Sequence, residues 1–208
     1  MTVVLGLETS SRLPGVAVSR DGTIFGGPAE EPAARGTDLG ALVERVLGAA
    51  GVMPRDIDLI AVDIGPGGLN AVRSGVSFAN GLALSLNRPI VPLTSLEIMG
   101  WRAFAETGMP VLCIRGATEG QVWVGAYDGS GIVRTESGSL DAVSRALADL
   151  GGRFAIAGKL KDSLQRSLPG IDALMTDIDV PAVHDLIAFA ARAPEDRIVS
   201  GPISAFQQ

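Results

Sequence analysis

Hydrophobic and polar positions along the first half of the chain predict three short strands followed by alternating helices and strands. The Asp21-Gly22 pair between two apolar runs is typical of a tight antiparallel hairpin. A 3.6-residue stripe after Asp38, a residue type that caps helices, indicates an amphipathic helix ending near Gly51. The predicted elements are strands at 3–7, 15–19 and 23–26, a helix at 38–50, a strand at 57–64, a helix at 69–86, a strand at 90–93 and a helix at 96–106. This order combines an antiparallel start with parallel crossover connections.

The second half repeats the same tendency, with strands preceding helices. The predicted elements are strands at 111–114, 121–127 and 132–135, a helix at 140–150, a strand at 154–157, a short helix at 162–167 and an amphipathic helix at 181–192. The tail from Pro194 is polar, and we expect it to be loosely held.

A glycine-rich turn at 65–68 joins the buried strand at 57–64 to the long helix at 69–86. Glycines at such a turn allow the backbone to bend sharply or to approach another group closely. Two interpretations stay open. The turn is a tight strand-to-helix connection, or the helix N-terminus that it opens holds an anion.

Apolar or small residues cover much of the circumference of the helix at 69–86, whereas a helix that rests on one sheet needs only one apolar face. Either this helix is wholly buried in its own lobe, or its outer side contacts a partner subunit. In the second case it could support a pseudo-symmetric dimer together with the preceding helix. The predicted interface residues are Leu42, Val46, Val72, Arg73, Val76, Ser77 and Asn80.

Composition narrows the classes of protein. Hydrophobic residues make up 47% and charged residues 19%, which is typical of a globular chain. The net charge of −6 disfavours autonomous binding of nucleic acid, which requires a basic surface. Cys113 is the single cysteine, so no internal disulfide can form, and we expect a cytoplasmic protein without signal peptide or membrane span.

The sequence lacks the residue combinations and motifs of the most common catalytic sites. His184 is the single histidine, so a pair of imidazoles one helical turn apart, a common metal site, cannot form within the chain. There is no Gly-x-Ser-x-Gly nucleophile elbow and no Gly-x-x-x-x-Gly-Lys-Ser/Thr phosphate loop. Cys113 lies in an apolar run and is predicted to be a buried small hydrophobe. We therefore predict no catalytic residue and no metal ligand.

Several motifs occur together in a specific order. They are Leu5-Gly6-Leu7-Glu8-Thr9-Ser10, Gly65-Pro66-Gly67, Val72-Arg73-Ser74-Gly75, Gly81-Leu82-Ala83 and Val91-Pro92-Leu93-Thr94-Ser95-Leu96-Glu97. The set resembles the TsaB or YeaZ family, glycoprotease-like (peptidase M22-like) proteins of tRNA threonylcarbamoyladenosine biosynthesis. The resemblance is closest over residues 1 to about 100.

The resemblance implies an α/β protein with the actin-like ATPase fold (ribonuclease H-like, Hsp70-type), in which two related lobes contain mixed sheets. The expected domains are an N-terminal lobe at 1–108, a smaller lobe at 109–180, a helix at 181–193 that packs back on the first lobe, and a tail at 194–208. It also implies a non-catalytic scaffold or activator that pairs with the catalytic paralogue TsaD and the ATPase TsaE. Such a subunit would meet tRNA only through the complex, would be a homodimer in isolation, and would not contact membranes.

The resemblance places Glu8, Thr9 and Ser10 at the phosphate loop of actin-like ATPases. A carboxylate there can hold magnesium through water, while hydroxyl and N–H groups contact phosphate. The loop is either a purely structural turn or a weak site for ATP or ADP with Mg²⁺. Other functions also stay open: a glycoprotease-like metallopeptidase, a weak actin-like ATPase, or a diverged homodimeric binding module, the last because residues 116–121 depart from the family pattern.

Overall fold

The computed structural model describes residues 2–29, 38–117, 121–138, 140–159 and 172–205. Its strands are β1 Val4–Glu8, β2 Gly15–Arg20, β3 Thr23–Pro28, β4 Leu59–Asp63, β5 Ile90–Leu93, β6 Val111–Gly116, β7 Val122–Tyr127, β8 Ile132–Gly138, β9 Phe154–Ala157 and β10 Ala173–Met175. Its α-helices are α1 Leu39–Ala50, α2 Leu69–Leu86, α3 Ser95–Thr107, α4 Leu140–Leu150 and α5 Val183–Ala190. The predicted helix at 162–167 lies outside the described residues.

The chain divides into two compact units. The first comprises Met1–Thr94 and Ala182–Gln208, and the second Ser95–Pro181. This division differs from the predicted boundary at residue 108, because α3 belongs to the second unit. The apolar face of α3, which includes Leu96 and Met99, packs against the strands of the second sheet.

The first sheet has the strand order β3-β2-β1-β4-β5. Strand β1 pairs antiparallel with β2 and parallel with β4, and β4 pairs parallel with β5. Both residues of the predicted hairpin have positive φ, 52° at Asp21 and 80° at Gly22, as a two-residue turn of this type requires. The predicted antiparallel start and the parallel crossovers are confirmed.

Three of the described helices pack on the first sheet. Helix α1 begins where the Ala41 N–H donates to Asp38 Oδ1 over 3.0 Å, and it ends at Gly51 with φ 62°, so both predicted ends are confirmed. Helix α2 has the predicted bounds. Helix α5 packs on β1 and β2, where glycines leave space for its side chains. A Cβ at Gly6 would lie only 2.6 Å from Ile187 Cγ1.

Residues 199–205 are bound to the same unit. Ile90 and Val199 exchange two backbone hydrogen bonds of 2.9 and 2.8 Å at the open edge of β5. The Asn80 side chain makes two more with the backbone of Ile203, each 2.9 Å long. The expectation of a loosely held tail is therefore wrong for this segment, because its backbone groups pair with an edge strand and with an amide side chain.

The second unit repeats the topology of the first. Its sheet order is β10-β9-β6-β7-β8, in which β6 pairs antiparallel with β7 and parallel with β9. Read from β8, the order of antiparallel and parallel neighbours is the one found from β3 to β5 in the first sheet. The prediction of two related lobes with mixed sheets is confirmed. Strand β10 was missed, because its three residues are too short to show a pattern.

Candidate functional site

The candidate site lies where β1 and β4 end side by side. These strands are parallel neighbours, with Leu7 opposite Val62, so Glu8 and Asp63 follow at the same edge of the sheet. Thr9 and Ser10 continue the chain beyond β1. All four side chains are buried, with exposed fractions of 2% for Glu8, 3% for Thr9, 5% for Ser10 and 0% for Asp63. The structure thus brings the predicted loop residues together and adds Asp63, which was not among the predicted site residues.

One hydroxyl group connects the two carboxyl groups. Ser10 Oγ lies 2.7 Å from Glu8 Oε1 and 2.7 Å from Asp63 Oδ2. A serine hydroxyl carries one proton, so it can donate to only one of the two oxygens at a time. The second contact therefore requires a proton on a carboxyl group, or a cation that offsets the negative charge.

Backbone N–H groups hold both carboxyl groups in place. The Ser11 N–H donates to Glu8 Oε1 over 2.9 Å, and the Gly65 N–H donates to Asp63 Oδ1 over 2.8 Å. Each acidic side chain thus closes a tight turn after its own strand. These bonds stabilise the loops whether or not the site binds a ligand.

The glycine turn and helix α2 pack directly against the loop after β1. A Cβ at Gly67 would lie 2.5 Å from Ser10 Cβ, and the Gly68 N–H donates to the Ser10 carbonyl over 3.4 Å. A Cβ at Gly75 would overlap Thr9 Oγ1 and lie 2.9 Å from Thr9 Cγ2. The close approach predicted for the glycine turn is confirmed at Gly67, and the group approached is the loop after β1. Gly75, a position where small size was expected to admit another helix, packs on Thr9 of the same loop. Thr9 Oγ1 is buried and has no hydrogen-bond partner within the described ranges.

The oxygen ligands of this site are of the type that a hard cation binds, but their burial and hydrogen bonding oppose a hydrated ion. Two carboxyl groups and a hydroxyl are the oxygen ligands that Mg²⁺ takes, but Mg²⁺ usually keeps several waters. Here the carboxyl groups are almost fully buried and already bonded to backbone N–H groups. A hydrated ion would have to displace those contacts. Among the described residues, no group of three or more His, Cys, Asp or Glu side chains could hold a metal ion.

The predicted interface residues, which lie on α1 and α2, are found in three environments. Val46, Val72 and Val76 lie in the core of their own unit, with 2–4% of their surface exposed, and leave little side-chain surface for a partner. Leu42 and Asn80 are half-buried, whereas Arg73 and Ser77 are exposed.

The outer face of α2 is exposed along its length. Leu69 near its start is 42% exposed and Leu84 near its end is 85% exposed. Small residues, among them Ser77 and Gly81, are exposed between these leucines. The helix is therefore not wholly buried in its lobe. No helix in the part of the chain that the structure describes is long and apolar enough to cross a membrane.

A groove of about 540 Å³ lies at the C-terminal end of α2. One wall is the last turn of α2 and the residues after it, and the other is the segment bound by Asn80. Its lining residues are Asn80, Gly81, Ala83, Leu84, Asn87, Arg88, Pro89, Ser200, Gly201 and Pro202. Sequence reasoning missed this groove, because no local pattern indicated that residues 200–202 lie beside α2.

The single histidine and the single cysteine of the sequence are not among the residues of this site. His184 is exposed on α5, beside Gly27 of β3. Cys113 is fully buried in β6, and burial raises the pKa of its thiol well above the ordinary value. A protonated, inaccessible thiol is not a nucleophile, so the predicted role of Cys113 as a buried hydrophobe is confirmed.

Comparisons with known proteins give a consistent result. The family model "TsaD: tRNA N6-adenosine threonylcarbamoyltransferase" matches residues 26–194. A protein named tRNA N6-adenosine threonylcarbamoyltransferase from Thermus thermophilus is 39% identical over 110 residues, which are 45% of this chain and 34% of that protein. A protein of the same name from Chlorobium phaeobacteroides is 27% identical over 198 residues, covering 88% of this chain and 56% of that protein. The chain thus spans between a third and a little over half of these two relatives.

Among solved structures, YeaZ from Pseudomonas aeruginosa superposes with a TM-score of 0.82. It is 25% identical, and the match covers 98% of this chain and 99% of that one. The chain is therefore similar to YeaZ over its whole length, and the predicted actin-like fold is confirmed.

Proposed function

Because the chain belongs to the TsaD family of tRNA N6-adenosine threonylcarbamoyltransferases, we propose that it is a non-catalytic scaffold that binds and activates a catalytic member of that family. Its fold is that of YeaZ, so the resemblance to the TsaB or YeaZ family predicted from the sequence is confirmed. In the proposed role, the chain pairs with a TsaD paralogue and a TsaE-like ATPase and takes part in forming threonylcarbamoyladenosine in tRNA. It contacts tRNA through the complex, which suits its net charge of −6.

The observation that carries this proposal is the outer face of α2. Its inner face, with Val72 and Val76, completes the core of the first unit, while Leu69, Arg73, Ser77 and Leu84 are exposed. Exposed leucines separated by small residues allow a second helix to approach closely, as in many helix–helix interfaces. In isolation, the same face would pair two copies of the chain.

Co-purification with the TsaD paralogue of the same organism tests the proposal. We expect a stable complex, and we expect Ser77→Arg to weaken it at least about tenfold by placing a long charged side chain in the contact. Ala148→Arg is the matched control, because Ala148 is also exposed on a helix but belongs to the second unit. Absence of a complex, or equal effects of the two substitutions, would refute the proposed face.

A genetic experiment tests the biological role. In a strain depleted of its own TsaB or YeaZ protein, this chain should restore threonylcarbamoyladenosine, measured by mass spectrometry of digested tRNA. The Ser77→Arg variant should restore less of it at equal protein level. Full complex formation without rescue would show that the chain binds its relative but serves another client.

A second candidate function is weak binding of ATP or ADP with Mg²⁺ at the loop of Glu8, Thr9 and Ser10. Two observations favour it: the buried Thr9 hydroxyl lacks a hydrogen-bond partner among the described residues, and two carboxyl oxygens lie 2.7 Å from the Ser10 hydroxyl. Calorimetry with ATP and Mg²⁺ tests it directly, with Glu8→Gln as the variant that should lose any magnesium-dependent part. No heat of binding at millimolar nucleotide would leave the loop a structural turn.

A further inference from the structure

We propose that the groove at the C-terminal end of α2 binds an extended segment of a partner protein, in which an apolar side chain stands next to a carboxylate. This site is separate from the loop after β1 and does not depend on the identity of the proposed catalytic partner. Three features support it: the shape of the groove, its apolar lining, and one arginine whose Nε has no acceptor in the described part of the chain.

The groove is open because two glycines line it. A Cβ added at Gly81 on α2, or at Gly201 on the opposite wall, would meet no atom within 4 Å. Its volume of about 540 Å³ is within the range of ordinary ligand sites. Its walls are preformed, because Asn80 holds the backbone of Ile203 and Val199 pairs with Ile90. Binding would therefore cost little conformational entropy in the protein.

The lining favours an apolar side chain. Leu84 is 85% exposed beside the groove, the most exposed of the large hydrophobic residues in the described chain. Ala83, Pro89 and Pro202 add further apolar surface. Covering exposed leucine surface is favourable because it removes apolar area from water, and an aliphatic side chain inserted beside Leu84 would achieve that.

Arg88 adds a preference for a negative charge. Its Nη2 donates to the Arg55 carbonyl over 3.1 Å, whereas its Nε is buried and has no acceptor among the residues that the structure describes. A buried donor without a partner is unfavourable, so an acceptor that reaches it gains that energy back. A carboxylate is the acceptor that guanidinium groups bind most strongly in proteins.

A protein segment fits these features better than nucleic acid. Among the groove residues, Arg88 is the one cation, and the chain carries a net charge of −6. A polyphosphate backbone would therefore meet one favourable charge and a repulsive surrounding field. A single carboxylate next to a leucine-like side chain would accept a hydrogen bond from Arg88 Nε, while the leucine-like side chain would cover the apolar surface at Leu84.

NMR titration of the ¹⁵N-labelled full chain tests the proposal, with acetyl-Ala-Leu-Glu-Leu-Ala-amide as the probe and its Gln analogue as the uncharged control. We expect shifts of the Gly81, Leu84 and Gly201 amides, and about tenfold tighter binding of the Glu peptide. Arg88→Gln should remove the difference between the two peptides without removing binding.

Filling the groove supplies the second arm of the test. Gly81→Leu places a side chain in the open space and should weaken binding of the Glu peptide at least about tenfold. Gly48→Leu is the matched control, because Gly48 is also a helical glycine whose Cβ would meet nothing within 4 Å. It should leave the affinity unchanged, and circular dichroism should show both variants folded.

Three results would overturn the inference. The first is the absence of shifts with either peptide, and the second is equal affinity for the Glu and Gln peptides. The third is a dependence of the groove amides on protein concentration alone, which would identify the occupant as a second copy of the chain.

Discussion

Two glycines of helix α2 should respond with opposite sign to the same substitution. At Gly81, a methyl group would meet nothing within 4 Å, so Gly81→Ala should raise the free energy of unfolding by about 1 kcal/mol through helix propensity. At Gly75, the methyl would overlap Thr9 Oγ1 and lie 2.9 Å from Thr9 Cγ2 and 3.1 Å from Thr9 Cβ. Thr9 cannot rotate all three atoms away, because Cβ is fixed to a buried backbone.

The change in the free energy of unfolding caused by Gly75→Ala is the difference between two opposing contributions. Overpacking a buried contact costs about 1–3 kcal/mol, and three close atoms put Gly75→Ala near the upper end. Subtracting a propensity gain of about 1 kcal/mol leaves a net loss of about 2 kcal/mol. The two alanine variants should therefore differ by about 3 kcal/mol in stability, although each adds one methyl group to the same helix.

Urea unfolding followed by circular dichroism measures the difference, and equal m-values would show that the unfolded states are comparable. In a Thr9→Ala background, the overlapping Oγ1 and the nearby Cγ2 are gone, so Gly75→Ala should cost less than about 1 kcal/mol. If Gly75→Ala stabilises the wild-type chain as Gly81→Ala does, the loop after β1 does not pack on α2 as described.

Three further predictions concern single side chains. Thr9→Val replaces a buried hydroxyl, which lacks a partner among the described residues, by a methyl group of similar shape. In urea titrations it should raise the free energy of unfolding by about 1 kcal/mol. A loss of stability would reveal a hydrogen bond at that oxygen. Asn80→Ala removes both hydrogen bonds to the backbone of Ile203 and should speed hydrogen exchange of the Ile203 amide at least about tenfold. Exchange of the Val199 amide should stay the same, because its bond to Ile90 is kept. Equal protection of the Ile203 amide in variant and wild type would contradict the pairing. Cys113 is fully buried, and burial raises the pKa of its thiol. It should therefore not react with a thiol reagent such as dithionitrobenzoate at mildly alkaline pH until urea unfolds the second unit. Rapid labelling of the native chain would refute its burial.

Local sequence patterns predicted most of the helices, strands and turns of the fold. Asp38 and Gly51 fixed both ends of α1, and the Asp21-Gly22 turn fixed the hairpin between β2 and β3, because capping and turn chemistry act over a few residues. Helix α2 was predicted with its observed bounds, but the sequence could not tell which side would be exposed. Small residues such as Gly75 and Gly81 look alike in a pattern, and only the tertiary structure shows that one is covered by Thr9 and the other is open.

The candidate sites depended more on distant contacts. Glu8, Thr9 and Ser10 were identified by the family resemblance. The contact of Ser10 with Asp63, 53 positions along the chain, follows instead from the parallel pairing of β1 and β4. The groove beside Leu84 was beyond sequence reasoning, because its far wall depends on a bond between Asn80 and Ile203, 123 positions along the chain. Apolar periodicity predicts which face of a helix is buried, not which remote segment lies beside its end.

The discontinuity of the first unit has a consequence for synthesis on the ribosome. Residues 95–181 are contiguous in the sequence, whereas the first unit is completed by segments that follow the second. These segments are α5, whose Ile187 fills the space above Gly6, and Val199, which pairs with the edge of β5. The nascent chain therefore carries an unfinished first sheet through translation of the whole second unit. The groove at the C-terminal end of α2 is complete only after residues 200–202 have emerged, because they form its far wall.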